Sequence, residues 1–590
     1  MTKNKLNALR KKWLYILFII APYIIGVIGY YLDPSVEGSN TLFLPLALYT
    51  LNLTDPPSNI WIDIARWWAG FATLSFLVSV LADWSENIDN WLQTKLLHRG
   101  KTIAIYCTDE EWENFDNQLI HSKEHYAIRG KGADITCADK FLLLGEEKDN
   151  LEFLALNREE LENKKVYMKC SPMFSRTVNR REYITFCDEE TAAREYWVRH
   201  ALYRDARRSG SYSMDISIVG HSVLMEELLL WGLQVNLFSK DQKITYHLFG
   251  DWSFFLGVHH ELEHIAWDTV VFEGDKWNDH QGIIKMSDRV LVWSDQDMYA
   301  IKYAIPGIGA RIHYMCDDLV DVDDDEYYDG RKWKPYPNPE AEVIFGEPVV
   351  YFWKLYAQDI NRILNQTNIN RGIRLNDTYN RFNDCDYNWN DLDSFSKYSN
   401  VSSAGYSDIW KYIAGYLMDE TGDKWIDVIT ECEHERWCRY HYVNNWTLEP
   451  DDTALIKDSI KLKKDRRHNC LVPFTRLHQF MKDNDKRNVQ YLAMMLREDV
   501  IGVMEDSTSL PVQEKYIKNN LRYYKRMDKT SDVVFEACII PAFVHFDKGN
   551  EAGIQHGAGD VFIRPAGTKE KFQVLNGIRF EETFVEVYRE

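Results

Sequence analysis

What this chain of 590 residues lacks narrows its function before any motif is read. Its ten cysteines contain no C-x-x-C pair, which argues against a zinc ribbon and against a disulfide framework, and they read as reduced thiols in a reducing compartment. No stripe of Lys and Arg runs through a chain of net charge -21, so nucleic acid is excluded as a partner: duplex binding needs clustered cations that release counterions. No G-x-G-x-x-G follows any strand-like run, and no nucleophile–base pair stands out, so no catalytic residue and no metal ligand is assigned.

What is present begins with length. A chain this long exceeds one hydrophobic core and predicts roughly three to five domains. Residues Trp13 to Leu32 carry no charge over the ~20 positions needed to cross a bilayer, and a second apolar run closes at Trp84. A signal peptide would be shorter and would end in small residues rather than Gly29-Tyr30-Tyr31. The expectation is therefore a transmembrane segment over 1–98, with helices at about 13–32 and 62–84. Thr41 to Leu53 is too short to cross and reads as an interfacial or re-entrant helix, either a pore helix or an amphipathic hairpin. Lys3, Lys5, Arg10, Lys11 and Lys12 before the first run, with Lys95, Arg99 and Lys101 after the second, put both termini and the soluble region in the cytoplasm of a bacterial inner membrane. The bilayer is then a partner, and any channel requires a homo-oligomer because two helices cannot enclose a pore.

From Gly100 the pattern alternates short apolar runs with helical periodicity, the signature of α/β units with parallel strands. Strands are expected at Thr102–Tyr106, Lys140–Leu144 and Lys165–Lys169 in a first Rossmann-like unit (99–208). A second unit (209–320) has them at Asp215–Val219, Gln234–Leu237, Asp268–Phe272, Arg289–Trp293 and Arg311–Tyr314. The first strand of the first unit runs into Asp109-Glu110-Glu111, where a phosphate would meet acids. That of the second runs into Gly220, His221 and Ser222, the positions best placed to face a phosphate, and its expected second strand ends without a ribose-binding acid. With the two apolar runs in front, these residues resemble the TrkA-type nucleotide-binding domains of potassium-transport proteins. That resemblance implies regulation of cation transport through a dinucleotide, with the fingerprint glycines missing.

His260-Glu261-Leu262-Glu263-His264 matches H-E-x-x-H, in which two histidines one helical turn apart bind zinc and the glutamate polarises water. The strand expected from Asp268 leaves too little helix for that chemistry. Asp317 to Pro339 reads as an acidic linker whose spacing does not fit a calcium loop, and Asn365 to Asn400 reads as loop within a linker-and-helix region over 321–404.

Glu431 to Trp446 reads as a helix ending at Asn444-Asn445, followed by a Lys-rich loop and Arg466 to Phe474. Glu433, Trp437 and Tyr440 share one face, with His434 beside it, and a buried Glu433 needs a cation such as Arg466, Arg467 or His468. His434-Glu435-Arg436-Trp437, Trp446 and His468 to Phe474 resemble the ryanodine-receptor repeat, here a mainly α domain over 405–500. The resemblance implies a small nucleotide-like ligand, with Glu433, His434, Trp437, Tyr440, Trp446, Arg466, Arg467, His468, Pro473 and Phe474 as candidate contacts. A helical connector near Glu514 to Lys529 and a small β cap complete 501–590; Gly557 to Ile563 resembles small domains with a G-D-[YWV] signature.

The fold class expected is thus an α/β region of tandem Rossmann-like units, a mainly α repeat and a β cap on a two-helix membrane segment. The function expected is a non-enzymatic ligand sensor and effector of the kind found in prokaryotic defence, with a nucleotide-sensing regulatory subunit of cation transport as the alternative.

Overall fold

The computed structural model describes residues 20–36, 38, 40–50, 59–74, 100–108, 111–112, 126–130, 138–177, 183–316, 327–328, 331–335, 350–353, 363–364, 366–421, 424–449, 461–501, 517, 521–526, 533–539, 546–547, 555–556, 561–575, 580 and 583–589. The chain divides into two compact units, residues 1–104 with 122–139, and residues 105–121 with 140–590.

In the smaller unit, helical residues 20–31 and 60–74 and the short helix Asn40–Ala47 close on Tyr30, Leu48, Ile62, Ala65 and Ala69. Gly29 permits this approach, since a Cβ there would lie 2.8 Å from the Ile62 side chain. The expected transmembrane pair is corrected here: among the described residues, no helix is long and apolar enough to cross a membrane. The described helical residues number 12 in the first stretch and 15 in the second. The first ends in a turn in which Asp33 Oδ1 accepts from Ser35 N and Oγ, and the second carries Asp63 and Arg66. Residues 13–19 and 75–84 of the expected spans, and 51–53 of the short helix, lie outside the described residues.

The larger unit opens with parallel strands β1 (Lys140–Leu143), β2 (Lys165–Lys169) and β3 (Ile184–Phe186), then helix α1 (Asp188–Arg199). A left-handed Gly210 ends the next helix and leads into the second sheet. Its strands are β4 (Ser213–Val219), β5 (Lys243–Phe249), β6 (Thr269–Gly274), β7 (Arg289–Val292), β8 (Ile312–Cys316) and β9 (Val350–Trp353). All pair in parallel in the order β9-β8-β7-β4-β5-β6. Numbered along the chain this is 6-5-4-1-2-3, the doubly wound order of dinucleotide-binding folds.

One expected strand is displaced. Gln234–Leu237 is the end of helix α2 (Val223–Val235) and the turn after it, whereas the second strand is β5. Leu224, Met225, Leu228 to Trp231 and Leu233 are all buried, so α2 is apolar around most of its girth. A helix covered on both sides loses the 3.6-residue signal that separates it from a strand.

The polar stretch expected as loop, Asn365 to Asn400, instead contains helix α4 (Thr367–Asn383) and the start of α5 (Ser394–Thr421). Arg371 and Leu375 are buried on α4, and Asn376 and Asn380 both donate to the Tyr387 carbonyl. These asparagines tie a turn rather than break a helix. Helices α6 (Trp425–Val443) and α7 (Gln479–Ile501) complete a layer that shares one hydrophobic core with α1, α2 and the second sheet.

The closing sheet takes in part of the acidic linker: Arg331–Pro335 pairs antiparallel with Phe584–Arg589, which pairs with Arg522–Arg526. The expected connector helix is corrected at Arg522–Arg526, a strand whose Tyr524 packs on Phe580. Gly557 to Asp560 lie outside the described residues.

Candidate functional site

The strand order reverses between β4 and β7, the place where doubly wound sheets open a crevice beyond their carboxyl ends. Gly220 follows β4 with φ +90°, and a Cβ there would stand 3.0 Å from the Trp293 Cβ. Gly250 follows β5 at φ +121°, with its missing Cβ 3.3 Å from the Gly220 carbonyl carbon, and Gly274 ends β6 at φ +127°. The Gly220 N–H donates to the Phe249 carbonyl at 2.9 Å and the Gly250 N–H to the Gly274 carbonyl at 3.1 Å. Three glycines therefore follow the carboxyl ends of three adjacent strands, Gly220 at the switch point itself. A fingerprint within one loop was missing from the sequence; this set is assembled by the sheet.

Ser222 caps α2, its hydroxyl accepting from Met225 N, and Ser294 caps helix α3 (Asp295–Ala304) by accepting from Asp297 N. Two helix N-termini thus flank the switch point, each with unsatisfied backbone donors and a positive dipole end. His221 Nε2 shares a 2.8 Å bond with Glu226 Oε1, and its ring stands edge-on to Trp252 at 5.0 Å. Asp251 follows Gly250 on the exposed lip. Its Oδ1 accepts from Ser253 Oγ at 2.6 Å and from Ser253 N, and these bonds hold its carboxyl below the ordinary carboxylate range. An ionised acid at the end of the second strand is the ribose-binding position of such folds. Displacing that strand to Gln234–Leu237 hid Asp251 from the sequence reading; the dipeptide Gly250-Asp251 after an alternating run was the signal for it.

The corresponding edge of the first sheet is acidic. Lys169 Nζ is bound to Asp188 at 3.1 Å and lies 3.9 Å from Glu111, while Glu147 accepts from Ser171 N and Oγ. A phosphate meets carboxylates there.

In α6, Glu433 is buried, but its partner is none of the expected cations. Arg436 grips both its carboxylate oxygens at 2.8 and 2.9 Å, and Ser403 donates to Oε1. Tyr440 is buried with its hydroxyl on the Phe395 carbonyl, and Trp446 is buried and stacked on Phe395 at 4.8 Å. Arg466 and Arg467 are exposed, at a turn and at the start of the short strand Arg467–His468; Arg466 donates to the Asn444 carbonyl and Arg467 lies 3.9 Å from Glu449. Pro473 is exposed and Phe474 half-buried.

The structure does bring together Trp437, His434, His441 and His468: the half-buried indole lies 5.8, 4.0 and 4.9 Å from the three imidazoles. His434 faces acceptors on both sides, the Val472 carbonyl at 2.8 Å and Asp485 at 3.2 Å. Burial alone would lower its pKa; the Cys438 sulfur and the Asp485 carboxylate outweigh that, and the imidazole is held well above its ordinary value. His441, absent from the expected contacts, sits one turn beyond Trp437.

His260–His264 forms a 3-10 turn, with both histidines exposed and Glu261 turned to His264 at 3.1 Å. Among the described residues, no group of three or more metal-ligating side chains converges.

No family model matches the chain, and no curated protein matches it. A solved structure described as a GsuK channel bound to NAD aligns with 61% of this chain and 84% of that one, at 11% identity and a TM-score of 0.28.

Proposed function

We propose that this chain is a nucleotide-sensing regulatory protein whose ligand occupies the crevice between β4 and β7. The observation that carries this reading is the placing of Gly220 at the point where the strand order reverses, with Gly250 packed against it and the ionised Asp251 after the neighbouring strand. The glycines leave room for a phosphate to approach the N-termini of α2 and α3, and Asp251 accepts from a ribose hydroxyl. The reading assigns no catalytic step.

Helix α2 supplies the output. Its first turn borders the crevice, and some 20 Å away its last turn is bonded to the helical layer. Arg439 of α6 donates to the Leu233 carbonyl at 2.8 Å, Ser402 of α5 to Gln234 Oε1, and Tyr406 to the Leu237 carbonyl at 2.6 Å. A ligand that draws on the N-terminal donors of α2 therefore acts on a rod already fixed to the helical layer. Coupling requires only that the ligand favour one placement of that rod.

A second reading puts the ligand in the ryanodine-receptor-like segment, on the open face of Trp437 among three histidines; the half-buried indole favours it. One experiment separates the two. Thermal unfolding of the full chain is followed with NAD, NADH, ADP-ribose and mono- and cyclic nucleotides, a ligand at 100 times its Kd adding about 2.7 kcal/mol. Loss of the shift in Asp251→Ala and its retention in Trp437→Ala supports the crevice. The opposite pattern moves the ligand to α6, and no shift with any member of the panel rejects nucleotide sensing.

A further inference from the structure

The smaller unit carries apolar side chains outward as well as inward. Inside lie Tyr30, Leu48 and Ile62 with the small residues Ala65, Ala69 and Ala72, and Gly26 and Gly29 are in close contact with Pro45 and Ile62. Outside, Ile20, Ile24 and Ile28 run along one helix, Ile64, Trp67, Phe71 and Leu74 along the other, and Leu42, Phe43 and Leu46 along the third. Trp67 is 72% exposed and Phe43 68%. Monomeric proteins rarely leave so large an apolar surface in water.

Two features identify what covers it. The exposed apolar side chains are carried by all three helices, a wider surface than the stripe of a single helix presents. Polarity also changes along the axis. Asn59 Nδ2 donates to the Gly29 carbonyl, which places the end of the first helix beside the start of the second. Exposed Tyr31, Ser35, Trp61, Asp63 and Arg66 and half-buried Asp33 gather at that end, whereas Ile20, Phe71 and Leu74 lie toward the other. Aromatic and charged groups over an apolar body match the headgroup and hydrocarbon layers of a lipid leaflet.

We propose that this unit docks the protein on a membrane surface, its exposed apolar side chains sunk among the acyl chains of the lipid. The assignment is independent of where the nucleotide binds.

The test is flotation of the full chain with vesicles of palmitoyl-oleoyl phosphatidylethanolamine and phosphatidylglycerol. Wild type is expected to float. The double variant Trp67→Glu/Phe71→Glu, altered only on the exposed side, is expected to lose binding by about tenfold or more with an unchanged unfolding midpoint. Phe254→Glu, at a 77% exposed aromatic of the larger unit, is expected to float as wild type does. Wild type that stays with the lipid-free fraction overturns the proposal, as does equal flotation of the double variant. A discrete dimer that the double variant dissolves, without vesicle binding, would give these side chains to a second copy of the chain instead.

Discussion

Arg439 Nη1 donates to Asp268 Oδ2 at 2.6 Å with both side chains fully removed from solvent. The same guanidinium holds Glu435 at 3.0 Å and the Leu233 and Ala266 carbonyls, and Asp268 in turn accepts from Ile244 N and Gln242. One cation thus ties α6 to the end of α2 and to the starts of β5 and β6. Breaking a buried pair from one side strands a charge, so Arg439→Met is expected to cost about 3–5 kcal/mol and Asp268→Asn a comparable amount. Denaturant unfolding checks this. The double variant should cost clearly less than the sum of the singles, and full additivity would show that the pair is not coupled.

The crevice glycines make a prediction of different kind. Gly220→Ala adds a Cβ at φ +90° and 3.0 Å from Trp293, and Gly250→Ala adds one at φ +121° against the Gly220 backbone. Each is expected to lower stability by about 1–3 kcal/mol, since a left-handed conformation is strained for any side chain. Gly257→Ala, where a Cβ meets nothing within 4 Å, is the control and should be near neutral. Equal losses at all three positions would remove the steric argument for the loop.

How much of this was readable beforehand depends on where the information lay. Strands such as Thr102–Tyr106 and Arg289–Val292 announce themselves because apolar residues and their boundaries are local. Asp251 was hidden because α2 is apolar nearly all round, so its last turn passed for a strand and the true second strand went unread. The spatial set Gly220, Gly250 and Gly274 cannot appear as a motif, since parallel pairing alone makes the three neighbours. Glu433 was seen to need a cation, but Arg436, one turn away on the same helix, is nearer than any residue of the downstream loop. Asn365 to Asn400 was misread for the reverse reason: its polar composition speaks for loop, and tertiary packing of Arg371 and Leu375 overrides it.

That local Glu433–Arg436 pair separates stability from binding in α6. Glu433→Gln leaves the Arg436 guanidinium buried with half its partner, and a loss of about 3 kcal/mol is expected. Trp437→Ala vacates only a half-buried ring; its cost should fall below the 3–5 kcal/mol typical of a fully buried Trp. Chemical unfolding of the two variants gives the order. If Trp437→Ala proves the more costly, its ring belongs to the core and the second binding reading loses its support.

The last prediction concerns pH. Buried His313 and half-buried His200 stand edge to face at 5.1 Å, and Tyr196 shares a 2.9 Å bond with His313 Nδ1. Burial, reinforced by the Arg289 guanidinium that donates to the His200 carbonyl, holds both imidazoles well below the ordinary histidine pKa. In the unfolded chain the same rings take up protons below about pH 6.5, while the folded chain keeps them neutral. Each ring therefore favours unfolding by about 1.4 kcal/mol per pH unit as pH falls below 6.5, until its folded pKa is reached. His434 has the opposite sign: raised in the folded state, it adds stability that is complete below about pH 6.5 and is lost as pH climbs through its folded value. His313→Gln keeps an acceptor for Tyr196 and cannot titrate. Its stability should fall less steeply than that of the wild type between pH 6.5 and pH 5, by about 1.4 kcal/mol per unit. Parallel slopes would mean that His313 is protonated in the folded protein, and the Tyr196–His313–Arg289 arrangement would then have to carry an added charge.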